Sequence, residues 1–248
     1  MNANRSAAVM AQRAEPVDSL DDFPTPPWAT RALLRFLRDQ GEPLHLQHAW
    51  EPACNRGYLA RVLGEEFDHV HATDVHDYGW PGQAGIADFL IPWGQDAPDV
   101  DWIITNPPFR LGADFIRQAL TYARRGVAML VRTSFVEGVD RYRSLFQETP
   151  EAFVLPFVER VVMWKGVLLD PDVPIWKPDD KGAKGGGKAE KPTSATSYSW
   201  LVWRRDDAAH LERTTRFVRI PPCRLELTRP GDYPPLPDHL KPPRGGLL

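Results

Sequence analysis

The chain reads as an α/β protein with an open, mostly parallel sheet, and three observations predict this. Short apolar runs alternate with segments of helical periodicity. The runs stop at loops rich in Pro, Gly, Asn and Asp, the punctuation expected at strand ends. At 248 residues the chain can bury one full core, and sheets of this class and length are often a single domain.

Taken in order, residues 1–20 form a flexible amino-terminal segment, and the segment Asp22-Phe23-Pro24-Thr25-Pro26-Pro27-Trp28 opens a helix. That helix carries Leu33, Leu34, Phe36 and Leu37 and is closed by Gly41, with proline as its start signal and glycine as its stop. His48–Glu51 is a strand running into the tight loop Pro52-Ala53-Cys54-Asn55-Arg56-Gly57, followed by a helix with Leu59, Val62, Leu63 and Phe67 on one side. This is the strand, loop and helix of a nucleotide-binding βα unit. The next strand, 70–75, contains Asp74, seventeen residues after Gly57, where an acid commonly accepts ribose hydroxyls. Asp101 to Asn106 is a further buried strand. Residues 112–125 are helical, with cations in the last turn and Gly126 as the stop. Residues 127–131 form another buried strand and 140–146 a short helix, while 154–163 and 198–203 read as an antiparallel pair closing the sheet edge. Between them the Lys- and Gly-rich interval, about 177–197, is expected to be a mobile loop.

The segment with most chemical content is Asn106-Pro107-Pro108-Phe109, at the carboxyl end of the strand carrying Trp102, Ile103 and Ile104. Open α/β sheets place ligands there. Two consecutive prolines remove two backbone donors, so the carbonyls of Asn106 and Pro107 are left to accept hydrogen bonds from elsewhere. A planar exocyclic amine suits them. Its N–H groups can go to the Asn106 side chain and a backbone carbonyl, while Phe109 stacks on the attached ring.

This tetrapeptide resembles the [D/N/S]-P-P-[Y/F] signature of S-adenosylmethionine-dependent amino-methyltransferases, chiefly those that methylate adenine N6 in DNA. Similar motifs serve enzymes acting on guanine or cytosine amines or on a protein glutamine. The resemblance implies a Rossmann-like class I methyltransferase fold with a seven-stranded, mostly parallel sheet and helices on both faces. It also implies S-adenosylmethionine as cofactor, adenine in DNA as target, no metal and no membrane. Glu51-Pro52-Ala53 and Gly57 resemble the family's E-P-A-x-G-x-G loop, with Glu51 near the methionine part of the cofactor. The family's first glycine is replaced by Asn55, the non-glycine residue that best tolerates a left-handed backbone. Phe23, Thr25 and Pro26 resemble the family's Thr-Pro loop over the methionine end. Asp74 and Val75 would meet the ribose, and Asp88 and Phe89 the adenine ring. Asn106, Pro107, Pro108 and Phe109 would hold the target. Residues 21–205 would be the catalytic domain and 206–248 a proline-rich extension. Target recognition would lie in residues 164–196 or in the tail from Arg204.

The net charge of −3 argues against strong non-specific affinity for nucleic acid, so a DNA-binding face must be a local patch. From Arg204 onward there are nine Lys or Arg against six Asp or Glu, a modest excess compatible with phosphate contacts or with a solvated tail. Two cysteines imply no disulfide framework and point to a reducing cytoplasm. The run Ala7 to Ala11 is too short for a signal peptide, and no run reaches transmembrane length. Pro221-Pro222-Cys223 resembles the nucleophile motif of cytosine-C5 methyltransferases but lacks its companions, and reads as a structural turn with a buried Cys. A dinucleotide oxidoreductase is disfavoured by the missing G-x-G-x-x-G. Two alternatives stay open, an enzyme acting on RNA or a protein glutamine and a catalytically silent binding subunit.

Overall fold

Alternation within each strand decides how this chain folds. In β4 (Trp102–Thr105), Trp102 and Ile104 face one apolar cluster and Ile103 the other; in β5 (Gly126–Arg132), Ala128 and Leu130 oppose Val127, Met129 and Val131. Strands buried on both faces need cover on both. On one side it comes from α1 (Pro27–Asp39) and α2 (Tyr58–Leu63), on the other from α3 (Gly112–Tyr122). The computed structural model describes residues 21–178, 187–205 and 213–242.

The remaining strands of the main sheet are β1 (His48–Glu51), β2 (His69–Asp74), β3 (Gly85–Ile86), β6 (Phe153–Pro156), β9 (Tyr198–Arg204) and β10 (Arg216–Phe217). Their order is β10-β6-β9-β5-β4-β1-β2-β3, and all run parallel except β9, which is antiparallel to both β5 and β6. The eighth strand is the two-residue β10, which pairs with β6 at the edge. The chain steps outward from β1 through β3 and returns to β4 on the other side of β1, so the topological switch lies between β1 and β4. In such sheets the ligand crevice opens at that point, outside the strands' carboxyl ends.

Several expectations change. Pairing of residues 154–163 stops at Phe157, because β9 begins at Tyr198 and offers no partner beyond it. The pair does not close the edge, since β9 is inserted between β5 and β6 and β10 lies outside them. Gly126 is no helix stop: α3 ends at Tyr122, and Gly126 begins β5 where a Cβ would sit 2.5 Å from the Trp102 ring. The supposed mobile loop is paired at both ends, as β7 (Ile175–Pro178) and β8 (Gly187–Glu190) form an antiparallel hairpin; residues 179–186 lie outside the described residues. The hairpin packs through Ile175 against Leu169 and Leu240, an apolar anchor within a segment whose composition reads as polar.

The described part of the tail, residues 213–242, is part of the fold rather than a solvated extension. Ile220 and Cys223 belong to the main core, and buried Arg31 of α1 donates to Glu65, to both carboxylate oxygens of Asp232 and to the Leu227 carbonyl. Cys223 follows the Pro-Pro turn, and burial pushes its thiol pKa up. No helix of the described residues is long and apolar enough to cross a membrane.

Candidate active site

Three parallel strands deliver the site. β1 ends on Glu51, β2 on Asp74, and β4 leads directly into Asn106. Between their ends lies a crevice at the sheet's ligand-binding edge. Its lining carries the carboxyl groups of Asp21, Glu51 and Asp74 and no lysine, arginine or histidine. A cationic guest is therefore favoured by the wall itself.

The loop after β1 is shaped by two left-handed residues. Asn55 has φ 49° and Gly57 φ 74°, so asparagine adopts the left-handed backbone expected of it. Gly57 is constrained a second time, because a Cβ there would meet the Trp80 ring at 2.2 Å. The Asn55 backbone N–H donates to Asp74 Oδ2 at 2.9 Å, and its side-chain Nδ2 donates to Asp22 Oδ1 at 2.7 Å. The Arg56 guanidinium holds both Asp22 oxygens at 2.8 and 2.9 Å. Burial alone would raise the Asp22 pKa, but the hydrogen bonds from Arg56 and Asn55 outweigh it and hold the carboxyl below its usual value. This clamp ties the amino-terminal loop to the loop below it.

Glu51 is 2% exposed, and its Oε2 has no hydrogen-bond partner. Burial first, then the charge of Asp74, holds its carboxyl well above the usual range, against an opposing hydrogen bond from the Ala60 N–H. Asp74 accepts backbone N–H groups from Asn55 and His76, yet burial still raises its pKa. Both carboxyls therefore give up their protons less readily than in water, and positive charge placed beside them would oppose that shift.

Asn106 is held from the amino-terminal side. Its Nδ2 donates to the Phe23 carbonyl at 2.9 Å, which fixes the amide orientation, and its buried Oδ1 has no partner. The backbone carbonyls of Asn106 and Pro107 accept no hydrogen bond from the described residues, whereas the Pro108 carbonyl accepts the Leu111 N–H. The Phe109 N–H donates to Asp21 Oδ2 at 2.7 Å. The loop therefore presents acceptors in excess of donors, the arrangement that receives an amine. The Phe109 ring is half-buried, 5.0 Å from Phe23 and 6.4 Å from Tyr198, with the Arg132 guanidinium carbon 4.4 Å from its centroid.

The crevice brings together Phe23, Thr25, Glu51, Ala53, Asn55, Asp74, Val75, Asn106 and Pro108. Pro26, Pro52 and Gly57 shape the backbone without lining it, and Pro107 and Phe109 face another cleft. Asp88 is exposed beyond β3, its Oδ1 taken by the Leu90 N–H, and Phe89 is buried against Trp50 and Phe115 rather than in the crevice wall. Asp21, Arg56 and Tyr78 carry no role in the sequence reading. For Asp21 the available signal was an acid just ahead of the Phe-Pro-Thr-Pro segment.

No family model and no curated protein sequence matches this chain. Solved structures do. A protein described as an RNA methyltransferase from Pyrococcus horikoshii superposes with a TM-score of 0.51 at 13% identity, covering 79% of this chain and 94% of its own. One described as a class I S-adenosylmethionine-dependent methyltransferase from Listeria monocytogenes gives 0.52 at 13% identity, over 84% and 68%. The methyltransferase subunit of a type I restriction-modification system from Streptococcus thermophilus gives 0.52 at 11% identity, over 80% of this chain and 47% of its own, so this chain spans just under half of that subunit. The architecture is that of the Rossmann-like class I methyltransferases.

Proposed function

We propose that this chain is an S-adenosylmethionine-dependent methyltransferase acting on the exocyclic N6 amine of a flipped adenine in DNA. The observation that carries the reading is the unpartnered, buried Oδ1 of Asn106 at the edge of an acid-walled crevice. The residues fit the cofactor: it bears a sulfonium and an ammonium, and the wall offers carboxyls, an orphan Glu51 oxygen and no competing cation. Glu51 and Asp21 would face its methionine end, Asp74 its ribose, and Val75 and Tyr78 its base. Asp88 and Phe89 line no part of the crevice, so this reading gives neither a contact with the cofactor.

When bound, the cofactor supplies a methyl group activated by positively charged sulfur. The chain's own part is positioning. Asn106 Oδ1 and the Pro107 carbonyl receive the two N–H groups of the amine, which weakens its conjugation with the ring and directs its lone pair toward the crevice. Flipping costs a few kcal/mol, and stacking on an aromatic such as Phe109 returns about 1–3 kcal/mol per base. The Asp21 carboxylate holds Phe109 through its backbone N–H, so the ring and the amide move as one unit.

The test is transfer of labelled methyl from S-adenosylmethionine to duplex DNA, RNA and protein in parallel, followed by nucleoside and amino-acid analysis. Label recovered as N6-methyladenine in DNA is expected. Label in glutamine or in RNA alone would move the substrate, and no label with intact cofactor binding would favour a silent binding subunit.

A further inference from the structure

Alternate residues of the catalytic loop face different spaces. Asn106 and Pro108 line the acid-walled crevice, whereas Pro107 and Phe109 line a second cleft with Arg132, Ser134, Phe135 and Arg141. The electrostatics reverse across the loop, since this second cleft holds two arginines and no aspartate or glutamate.

Those arginines belong, with Arg61 and Arg160, to the ones that find no carboxylate among the described residues. Arg31, Arg56, Arg124 and Arg224 are each paired with carboxylates. Arg132 and Arg141 pair with no carboxylate of the described residues. Arg132 Nε is buried without a partner, and its guanidinium covers the Phe109 ring. Arg141 donates only to the Glu137 carbonyl, at 3.1 and 2.7 Å, and lies over Phe135. At the rim Arg160 donates to Ser197 Oγ at 2.8 Å, and the Ser197 carbonyl accepts the Thr133 N–H, which places a third cation beside the strand end that carries Arg132.

We infer that this cleft binds the phosphodiester backbone flanking the target base of a nucleic-acid substrate, with Arg132 and Arg141 as its phosphate anchors. The inference rests on the methyltransferase reading only for the position of the base. A guanidinium fork matches phosphate geometry, and arginines without carboxylate partners beside aromatic rings suit a stacked, charged nucleotide. A neutral glutamine amide would call for neither. A base stacking on the Phe109 face covered by Arg132 displaces that guanidinium, releasing its N–H groups to the adjoining phosphate. These anchors lie at the end of β5 and just beyond it, and as phosphate contacts they would position the substrate rather than read its sequence.

The experiment is equilibrium binding of a labelled adenine-containing duplex, with S-adenosylhomocysteine present, at 50 to 200 mM salt, for the unaltered protein, Arg132→Gln, Arg141→Gln and the double variant. Each lost phosphate contact flattens the slope of log affinity against log salt by about 0.9, so over this range the double variant should lose about tenfold less affinity than the parent. Arg132→Lys should keep the slope, and an uncharged peptide nucleic acid of the same sequence should not compete. Arg141 is half-buried with its guanidinium hydrogen bonds at the surface, so its variant tests the cleft even if Arg132→Gln fails to fold. An unchanged slope in Arg141→Gln and in the double variant, or no nucleic-acid binding by the parent, overturns the inference. Methyl transfer to DNA with an unchanged slope would sink this cleft and leave the enzyme reading standing; a flattened slope without methyl transfer would do the reverse.

Discussion

Replacing Asn106 by alanine separates chemistry from folding at this site. The side chain makes one hydrogen bond, from Nδ2 to the Phe23 carbonyl at 2.9 Å, and holds one buried oxygen without a partner. Truncation orphans the Phe23 carbonyl at a cost of about 1–3 kcal/mol and also relieves an unpaired buried oxygen whose desolvation costs about the same. The two nearly cancel, so the melting temperature should change little. Activity has no such compensation. Losing a preorganised acceptor where charge develops costs about 3–4 kcal/mol, on the order of a hundredfold to a thousandfold in rate. Thermal unfolding, calorimetric titration with S-adenosylhomocysteine and single-turnover methyl transfer should be measured on the same preparation. Near-normal turnover would refute the role of Asn106 as amine acceptor, and a collapse of the fold would reassign it to holding the amino-terminal loop.

Other perturbations follow from the same geometry. Asp74→Ala should weaken cofactor binding by about 1.5–3 kcal/mol, the worth of a charge-assisted hydrogen bond, and unchanged affinity by calorimetry would move the ribose contact elsewhere. Glu51, whose pKa is raised above 4.5 by burial and by Asp74, keeps a proton that the unfolded chain releases, so the ligand-free protein should lose stability as pH rises above that value toward the folded pKa. Glu51→Gln should reduce this slope, leaving the part that the raised pKa of Asp74 contributes, and in the parent the affinity for the cationic cofactor should rise over the same window; a flat pH profile of melting would contradict both. Phe109→Ala should destabilise by about 1–2 kcal/mol, less than the 3–5 kcal/mol of a fully buried phenylalanine. Most of its effect should be lost activity, restored by Tyr and partly by a mismatch opposite the target adenine; a full-sized stability loss without rescue would assign the ring to the core.

What could be read from sequence follows from the range of the interactions involved. Glu51, Asp74 and Asn106 were legible because each sits at a strand end, and strand ends are marked locally by apolar runs and breakers. Asn55 was legible because its backbone conformation is an intrinsic preference, confirmed by φ 49°. Asp21 was not, since its role is a bond to a backbone N–H 88 residues away. Nor was the Asp22 to Arg56 clamp, which joins two loops across 34 residues. Phe89 misled for a different reason: a short acidic-aromatic motif says nothing of direction, and the ring turns into the core beside Trp50 while Asp88 turns out. The tail misled through composition, because its prolines suggested solvation while a few apolar side chains and one buried arginine of α1 dock it.

Net charge misleads in a related way. A total of −3 argues against a nucleic-acid partner only if charge is spread evenly, and here it is sorted by a single loop. Because each proline disfavours the helical region for the residue before it, Asn106 and Pro107 stay extended, the turn starting only at Pro108, and the two residues face different clefts. One side has Asp21, Glu51 and Asp74, the other Arg132 and Arg141. On the proposed reading, a cationic cofactor and a polyanionic substrate would each meet the field of its own side, with the Asn106 amide between them. The Pro-Pro pair thus has two consequences from one constraint. It frees the carbonyls that hold the amine, and it builds the wall that keeps the two charges apart.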